Sequence, residues 1–125
     1  MMSKKKLITS TLVALSLFST ISVSATTYLS DTLTGTNAES TYVNLGSGTR
    51  YVKGTAVTNS GTLHAMKIIP YAPDKSVANI SLSAPNSGQA SFTAVNTNDN
   101  GVVQSYYLKW KGSNSKSKVN GSFTN

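Results

Sequence analysis

From residue 26 onward, apolar and polar side chains alternate in short runs with a period of two. Within 89–96, Ala90, Phe92 and Ala94 share one face while Gln89, Ser91 and Thr93 share the other. Within 102–111, Tyr106, Leu108 and Trp110 oppose Tyr107, Lys109 and Lys111. Such a period describes a strand that packs on one side and meets water on the other. No window carries the 3.6-residue period of an amphipathic helix. The spacing predicts strands near 40–45, 50–58, 62–71, 77–83, 89–96, 102–111 and 118–124, with a further strand in the Thr-rich stretch 27–34. Met66-Lys67-Ile68-Ile69 alternates less regularly and suits a central strand with both faces partly covered.

Turn chemistry separates these runs. Gly46-Ser47-Gly48, Asn59-Ser60-Gly61, Pro73-Asp74-Lys75, Pro85-Asn86-Ser87-Gly88, Asp99-Asn100-Gly101 and Gly112-Ser113-Asn114 recur at roughly ten-residue spacing. Asn100-Gly101 carries the strongest hairpin signal, because a type I′ turn needs positive φ at both central residues. The expected fold is all-β: a small antiparallel β-sandwich of about seven or eight strands, with the lone Trp110 anchoring its core.

The first 25 residues read differently. Lys4, Lys5 and Lys6 form a basic start, Leu7 to Phe18 is mostly apolar, and small residues end in Val23-Ser24-Ala25. This is the order of a secretory signal peptide with its helix, cleaved after Ala25. Thr and Ser interrupt the apolar stretch, so it is a poor spanning helix, which wants about 20 apolar residues. No later run is long enough to span a membrane. Residues 26–125 are then a single domain acting outside the cell, exported by a bacterial Sec route.

Export changes the reading of charge. Loss of Lys4, Lys5 and Lys6 takes the net charge from +7 to +4. The remaining bias suits either solubility or attraction to an anionic surface. The chain has no cysteine. That excludes thiol catalysis, thiolate metal sites and the disulfide staples common in small secreted domains.

Candidate catalytic chemistry is sparse. His64 is the single histidine, on an expected strand beside Leu63 and Ala65, and no Gly-x-Ser-x-Gly elbow accompanies it. A strand role fits it better than a triad. The four acids are Asp31, Glu39, Asp74 and Asp99; they are scattered, and two sit in turns where Asp commonly bonds backbone. Asn96, Asn98, Asn100 and Gly101 match the early spacing of a calcium loop. Position 1 there is Asn, and position 12 would be Tyr107 rather than a bidentate Glu, so the segment reads as a hairpin loop. The expectation is a non-enzymatic protein with no catalytic, cofactor or metal residues.

The basic, aromatic tail is the sharpest cluster: Tyr107, Lys109 and Lys111 on one strand face, then Lys116 and Lys118. Aromatic and cationic groups on a sheet face suit stacking plus charge toward sugars or anions. The plainer reading is an edge strand that its lysines keep from aggregating. These five residues are the candidate ligand-binding set. The expected partner is an anionic or saccharide component of the cell envelope, not DNA, with self-association left open.

Ser87-Gly88 leading into the 90–95 strand, Ser105-Tyr106-Tyr107, Trp110, and upstream Tyr51-Val52-Lys53-Gly54-Thr55-Ala56-Val57-Thr58-Asn59 carry a partial resemblance. Over about 40 residues the chain resembles the lactococcin-972-type bacteriocins, small secreted β-sandwich proteins of Gram-positive bacteria. It lacks the Trp-rich start and His-rich first strand of that family. The resemblance implies a non-enzymatic antibacterial protein acting on the cell envelope and assigns no binding residues. The alternative is an extracellular structural module whose exposed edges pair with copies of itself or with matrix.

Overall fold

The structure is a computed structural model that describes residues 25–125. The signal peptide expected over residues 1–25 therefore lies outside the described residues up to Ser24. Among the described residues no helix is long and apolar enough to cross a membrane.

Among the described residues eight strands form: β1 (Thr27–Thr34), β2 (Ala38–Glu39), β3 (Gly48–Thr58), β4 (Ser60–Lys67), β5 (Lys75–Ser83), β6 (Ser87–Ala94), β7 (Tyr106–Gly112) and β8 (Lys118–Thr124). They pair antiparallel in two four-stranded sheets, ordered β1-β8-β3-β6 and β2-β7-β4-β5. Every connection except the β4–β5 hairpin crosses from one sheet to the other. That order and those crossings are a jelly roll, the double Greek-key form of the sandwich.

The alternation read from the sequence places the core. Val52, Ala56, Leu63, Ala65, Leu108, Trp110, Val119 and Phe123 are buried between the sheets. Trp110 is fully enclosed, and its indole N–H donates to the Ser117 carbonyl at 3.3 Å. Phe92 packs against Tyr106 and edge-on against Phe123, with ring centroids 5.8 and 5.9 Å apart. The antiparallel pairing sets two ends. One end carries the 35–37, 59, 84–86 and 113–117 connections. The other carries 40–47, 68–74 and 95–105, beside both termini of the described chain.

Three expectations from the sequence need correction. The expected strand at 40–45 is not a regular strand. Ser40 N–H donates to Leu108 O, and Val43 exchanges both backbone bonds with Tyr106. Three steps on one side therefore face two on the other, which is a bulge. The Ser40 hydroxyl fills the gap by accepting from Leu108 N–H at 2.8 Å.

The second correction concerns length. β4 stops at Lys67 and β7 begins only at Tyr106, because Pro70 and Pro73 cannot donate to a ladder and 98–101 is a turn. In that turn the Asn100-Gly101 hairpin is not type I′. Gly101 N–H donates to Asn98 O and Asn98 N–H to Val102 O, with Gly101 alone at positive φ (76°). This is a type I turn closed by a glycine bulge. The Asn98 side chain selects it by accepting from Asn100 N–H and Val102 N–H.

Third, β7 is not an edge strand. It lies between β2 and β4, so its lysines do not guard an open edge.

Candidate functional site

Three in-strand glycines shape the first sheet. Gly88 pairs with Gly54, and Gly54 with Gly121, making one row across β6, β3 and β8. Their inward sides face the second sheet at close range. A Cβ on Gly54 would stand 2.8 Å from Leu63 Cδ2, and one on Gly121 3.1 Å from the same atom. Gly88 is tight as well, at 3.3 Å from Leu82 Cδ2. Glycine here permits a backbone approach that any side chain would block. Leucines of the second sheet fill the space that the first sheet leaves empty.

The outer surface over this row is a shallow depression of about 360 Å3 lined by Lys53, Thr55, Ser87, Gln89, Asn120 and Ser122, with Gly54 and Gly88 in its floor. The register makes two walls. Ser30, Ser122, Lys53 and Gln89 stand in one row, and Thr32, Asn120, Thr55 and Ser87 in the other. The rows are two residues apart along each strand, about 7 Å. A further hollow at Ser30, Asp31, Thr32 and Asn120 carries the trough on to β1.

The wall side chains hold one another. Thr32 donates to Asn120 Oδ1 at 2.8 Å, which leaves the Asn120 Nδ2 group to donate outward. The Thr55 and Ser87 hydroxyls lie 2.7 Å apart. Tyr51, on the same face and two residues from Lys53, pairs with Ser91 and Thr124 across the neighbouring strands. It offers an aromatic ring at the side of the trough.

The sequence reading missed this trough, although the signal was present. Lys53-Gly54-Thr55, Ser87-Gly88-Gln89 and Asn120-Gly121-Ser122 repeat a polar-Gly-polar triplet in three strands. Only the register shows that the three triplets adjoin.

The five residues singled out from the sequence do not form one face. Tyr107, Lys109 and Lys111 point outward from β7 on the second sheet. Lys116 sits in the turn that follows, and Lys118 opens β8 in the first sheet. Tyr107 is buried and is no free stacking platform. Its hydroxyl donates to Asp74 Oδ2 at 2.6 Å, and the Tyr42 ring covers it at 5.3 Å. Burial, and then the Asp74 bond, push the phenol well above its ordinary range, so it stays neutral. Lys109 Nζ lies 3.8 Å from Glu39 Oε2.

His64, set aside as a catalyst, belongs to this face. It pairs with Lys109 on one side and Asn79 on the other, and its Nδ1 lies 2.9 Å from Ser76 Oγ. Partial burial, then Lys111 and Lys109, hold its pKa below the usual imidazole value. No acid joins it, so the geometry lacks the orienting carboxylate of a triad. Of the two turn acids, Asp74 also accepts from Ile69 N–H through Oδ1. In the other turn, Asn98 rather than Asp99 makes the side-chain bonds. No cluster of three or more potential metal ligands occurs among the described residues.

At the far end of the sandwich, Gln104 is buried. Its Nε2 donates to Ile68 O and Ser105 O, tying the 68–74 loop to β7. It lies under a pocket edged by Lys67, Pro70 and Asn98.

No family model matches the chain, and no curated protein matches it significantly. A solved structure described as "CBM4 structure and function" is similar over 77% of this chain and 78% of its own, with 17% identity and a TM-score of 0.36. A likeness that loose carries no argument about what this chain binds.

Proposed function

We propose that the protein is a non-catalytic saccharide-binding module that holds an extended glycan in the trough of the first sheet. The observation that carries the reading is the glycine row, which sinks a backbone floor between two walls of mostly hydroxyl and amide side chains, with Lys53 in one of them. Ser, Thr, Asn and Gln each offer both donors and acceptors, as sugar hydroxyls do. Neighbouring strands lie about 4.8 Å apart, close to the length of one pyranose unit, so four strands offer a repeat that matches a chain laid across them. Tyr51 supplies a ring for the apolar face of a sugar. The signal-peptide pattern at residues 1–25 supports action outside the cell.

The test is calorimetry of the purified protein against soluble fragments of bacterial wall and neutral polysaccharides. Asn120→Ala with Gln89→Ala removes one hydrogen-bonding side chain from each wall. At roughly 1 kcal/mol for each lost bond, the pair should weaken binding at least about tenfold, while the fold survives with a thermal transition lowered only by loss of the exposed Thr32–Asn120 bond. Wild-type affinity in the double variant, or no glycan bound by the wild type, rejects the trough. The envelope antagonism implied by the resemblance needs more than binding, and adding the protein to Gram-positive cultures tests it. Binding without growth inhibition leaves a passive binding module.

A further inference from the structure

The second sheet and the adjoining end of the sandwich carry a different chemistry. On the outer face of this sheet, Lys109 stands directly opposite His64. Lys111 stands opposite Thr62, diagonal to His64. Cations that face one another across a ladder repel. From β5, Ser76, Asn79 and Ser81 face this group, and none is acidic. From β2, Glu39 faces Lys109. Tyr107 is neutral and occupied by Asp74. Beyond Lys111, Lys116 lies in the turn and Lys118 emerges on the outer face of the first sheet. Asp74 reaches this face only at Tyr107, one row beyond Lys109; Asp99 lies toward the opposite end, where Lys67 and Lys75 also stand, and Asp31 lies on β1.

We propose that His64, Lys109, Lys111, Lys116 and Lys118 form a cationic band that binds a phosphodiester-linked polyanion, a polyol-phosphate chain, independently of the glycan trough. The cations are strung out rather than convergent. Lys109 and Lys111 are about 7 Å apart along β7, and the band then turns round the end of the sandwich. A line of flexible point charges suits successive phosphates better than one buried anion. A planar bilayer cannot meet a band that passes from one face to the other. Of the exposed large apolar side chains, Tyr42, Tyr71, Val102 and Val103 lie at the other end, and Val57 alone stands near the band, too little apolar surface for a bilayer. Single-stranded nucleic acid would stack its bases, but Tyr107 on this face is covered.

The polyanion restores the counter-charge that His64 lacks, so the bound state favours the imidazolium. Affinity therefore rises as pH falls through the imidazole range.

The experiment is titration of the purified protein with a poly(glycerol phosphate) chain over a salt series. Parallel arms use neutral dextran, a single-stranded DNA oligomer and phosphatidylglycerol vesicles. The logarithm of affinity should fall linearly with the logarithm of salt. Lys111→Glu with Lys116→Glu, both exposed, should weaken binding at least about tenfold and flatten the salt slope by about two contacts. His64→Gln should abolish the pH dependence and leave high-pH affinity unchanged. If Lys111→Glu/Lys116→Glu does not fold, Lys111→Gln with Lys116→Gln serves as the second variant. Salt-independent binding, wild-type affinity in the charge-reversed variant, or preference for vesicles or DNA over the phosphate chain would overturn the proposal. Neutral-glycan binding by these variants should match wild type, so failure of the band and failure of the trough are read separately.

Discussion

Single atoms decide much of this molecule. The three row glycines differ in how tightly the second sheet presses on them, with nearest approaches of 2.8 Å at Gly54, 3.1 Å at Gly121 and 3.3 Å at Gly88. Overpacking a formed core costs about 1–3 kcal/mol. Alanine substitutions should therefore destabilise in the order Gly54, Gly121, Gly88, as read from urea midpoints; an inverted order would refute the close-approach account. Tyr71 stands at φ 60°, fully exposed between Pro70 and Ala72. A left-handed conformation costs an L-residue about 1–2 kcal/mol, and glycine escapes this cost but loses chain entropy. Tyr71→Gly should raise stability by up to about 1 kcal/mol, seen as a higher melting temperature. Arg50 is a different case. Its guanidinium donates to the Leu45, Thr49 and Ser47 carbonyls and lies 5.0 Å from the Tyr28 ring centroid. It thereby pins the 45–49 turn to β3. Nothing in its sequence neighbourhood marks it, because its partners are backbone oxygens and a strand two positions away in the sheet.

At the scale of elements, local chemistry and pairing disagree in instructive places. The strands at 48–58, 75–83, 87–94 and 118–124 are close to those the two-residue period predicts, because one buried face imposes that period along the whole strand. The period misleads at 40–45, where the residues alternate but the bulge leaves Tyr42 lying over Tyr107. It misleads again at Asn100-Gly101, where the Asn98 side chain, two residues upstream, selects the turn. Asn98→Ala removes the two side-chain bonds to Asn100 and Val102. At about 1 kcal/mol net for each bond, stability should fall by about 1–2 kcal/mol. Faster amide exchange at Val102 should accompany the loss, and unchanged protection there would reject the role given to Asn98.

Across the whole molecule, the acids are unevenly placed. Lys111, Lys116 and Lys118 gather at one end without an acid, whereas Asp74 and Asp99 share the other end with Lys67 and Lys75. The depressed pKa of His64 ties this arrangement to stability. Below its unfolded value, near 6.5, the unfolded chain binds a proton that the folded chain resists. Stability is therefore fully present above about pH 6.5 and declines as pH falls through the interval down to the folded pKa. Melting temperature should drop on going from neutral to mildly acidic pH, and His64→Gln should shrink that drop. A steeper drop in the variant would contradict the repulsion from Lys109 and Lys111. The same whole-molecule view explains why the trough was hidden. Thr32 and Asn120 touch across 88 positions of sequence, a contact made only because the jelly roll lays β1 beside β8.

The chain by itself determined what nearest neighbours control: the strand period, the turns, the buried Trp110 face and the absence of any thiol chemistry. The first three follow from side-chain direction along one strand or from the φ preference of one residue, and the last from composition alone. Only the tertiary structure decided which polar residues stand together. It aligned three polar-Gly-polar triplets into one trough, and it divided five tail residues between two sheets and a turn. Those outcomes depend on strand order and register, which are set by packing between distant segments. No local pattern carries that information, because every strand with one polar face looks alike until its neighbours are known.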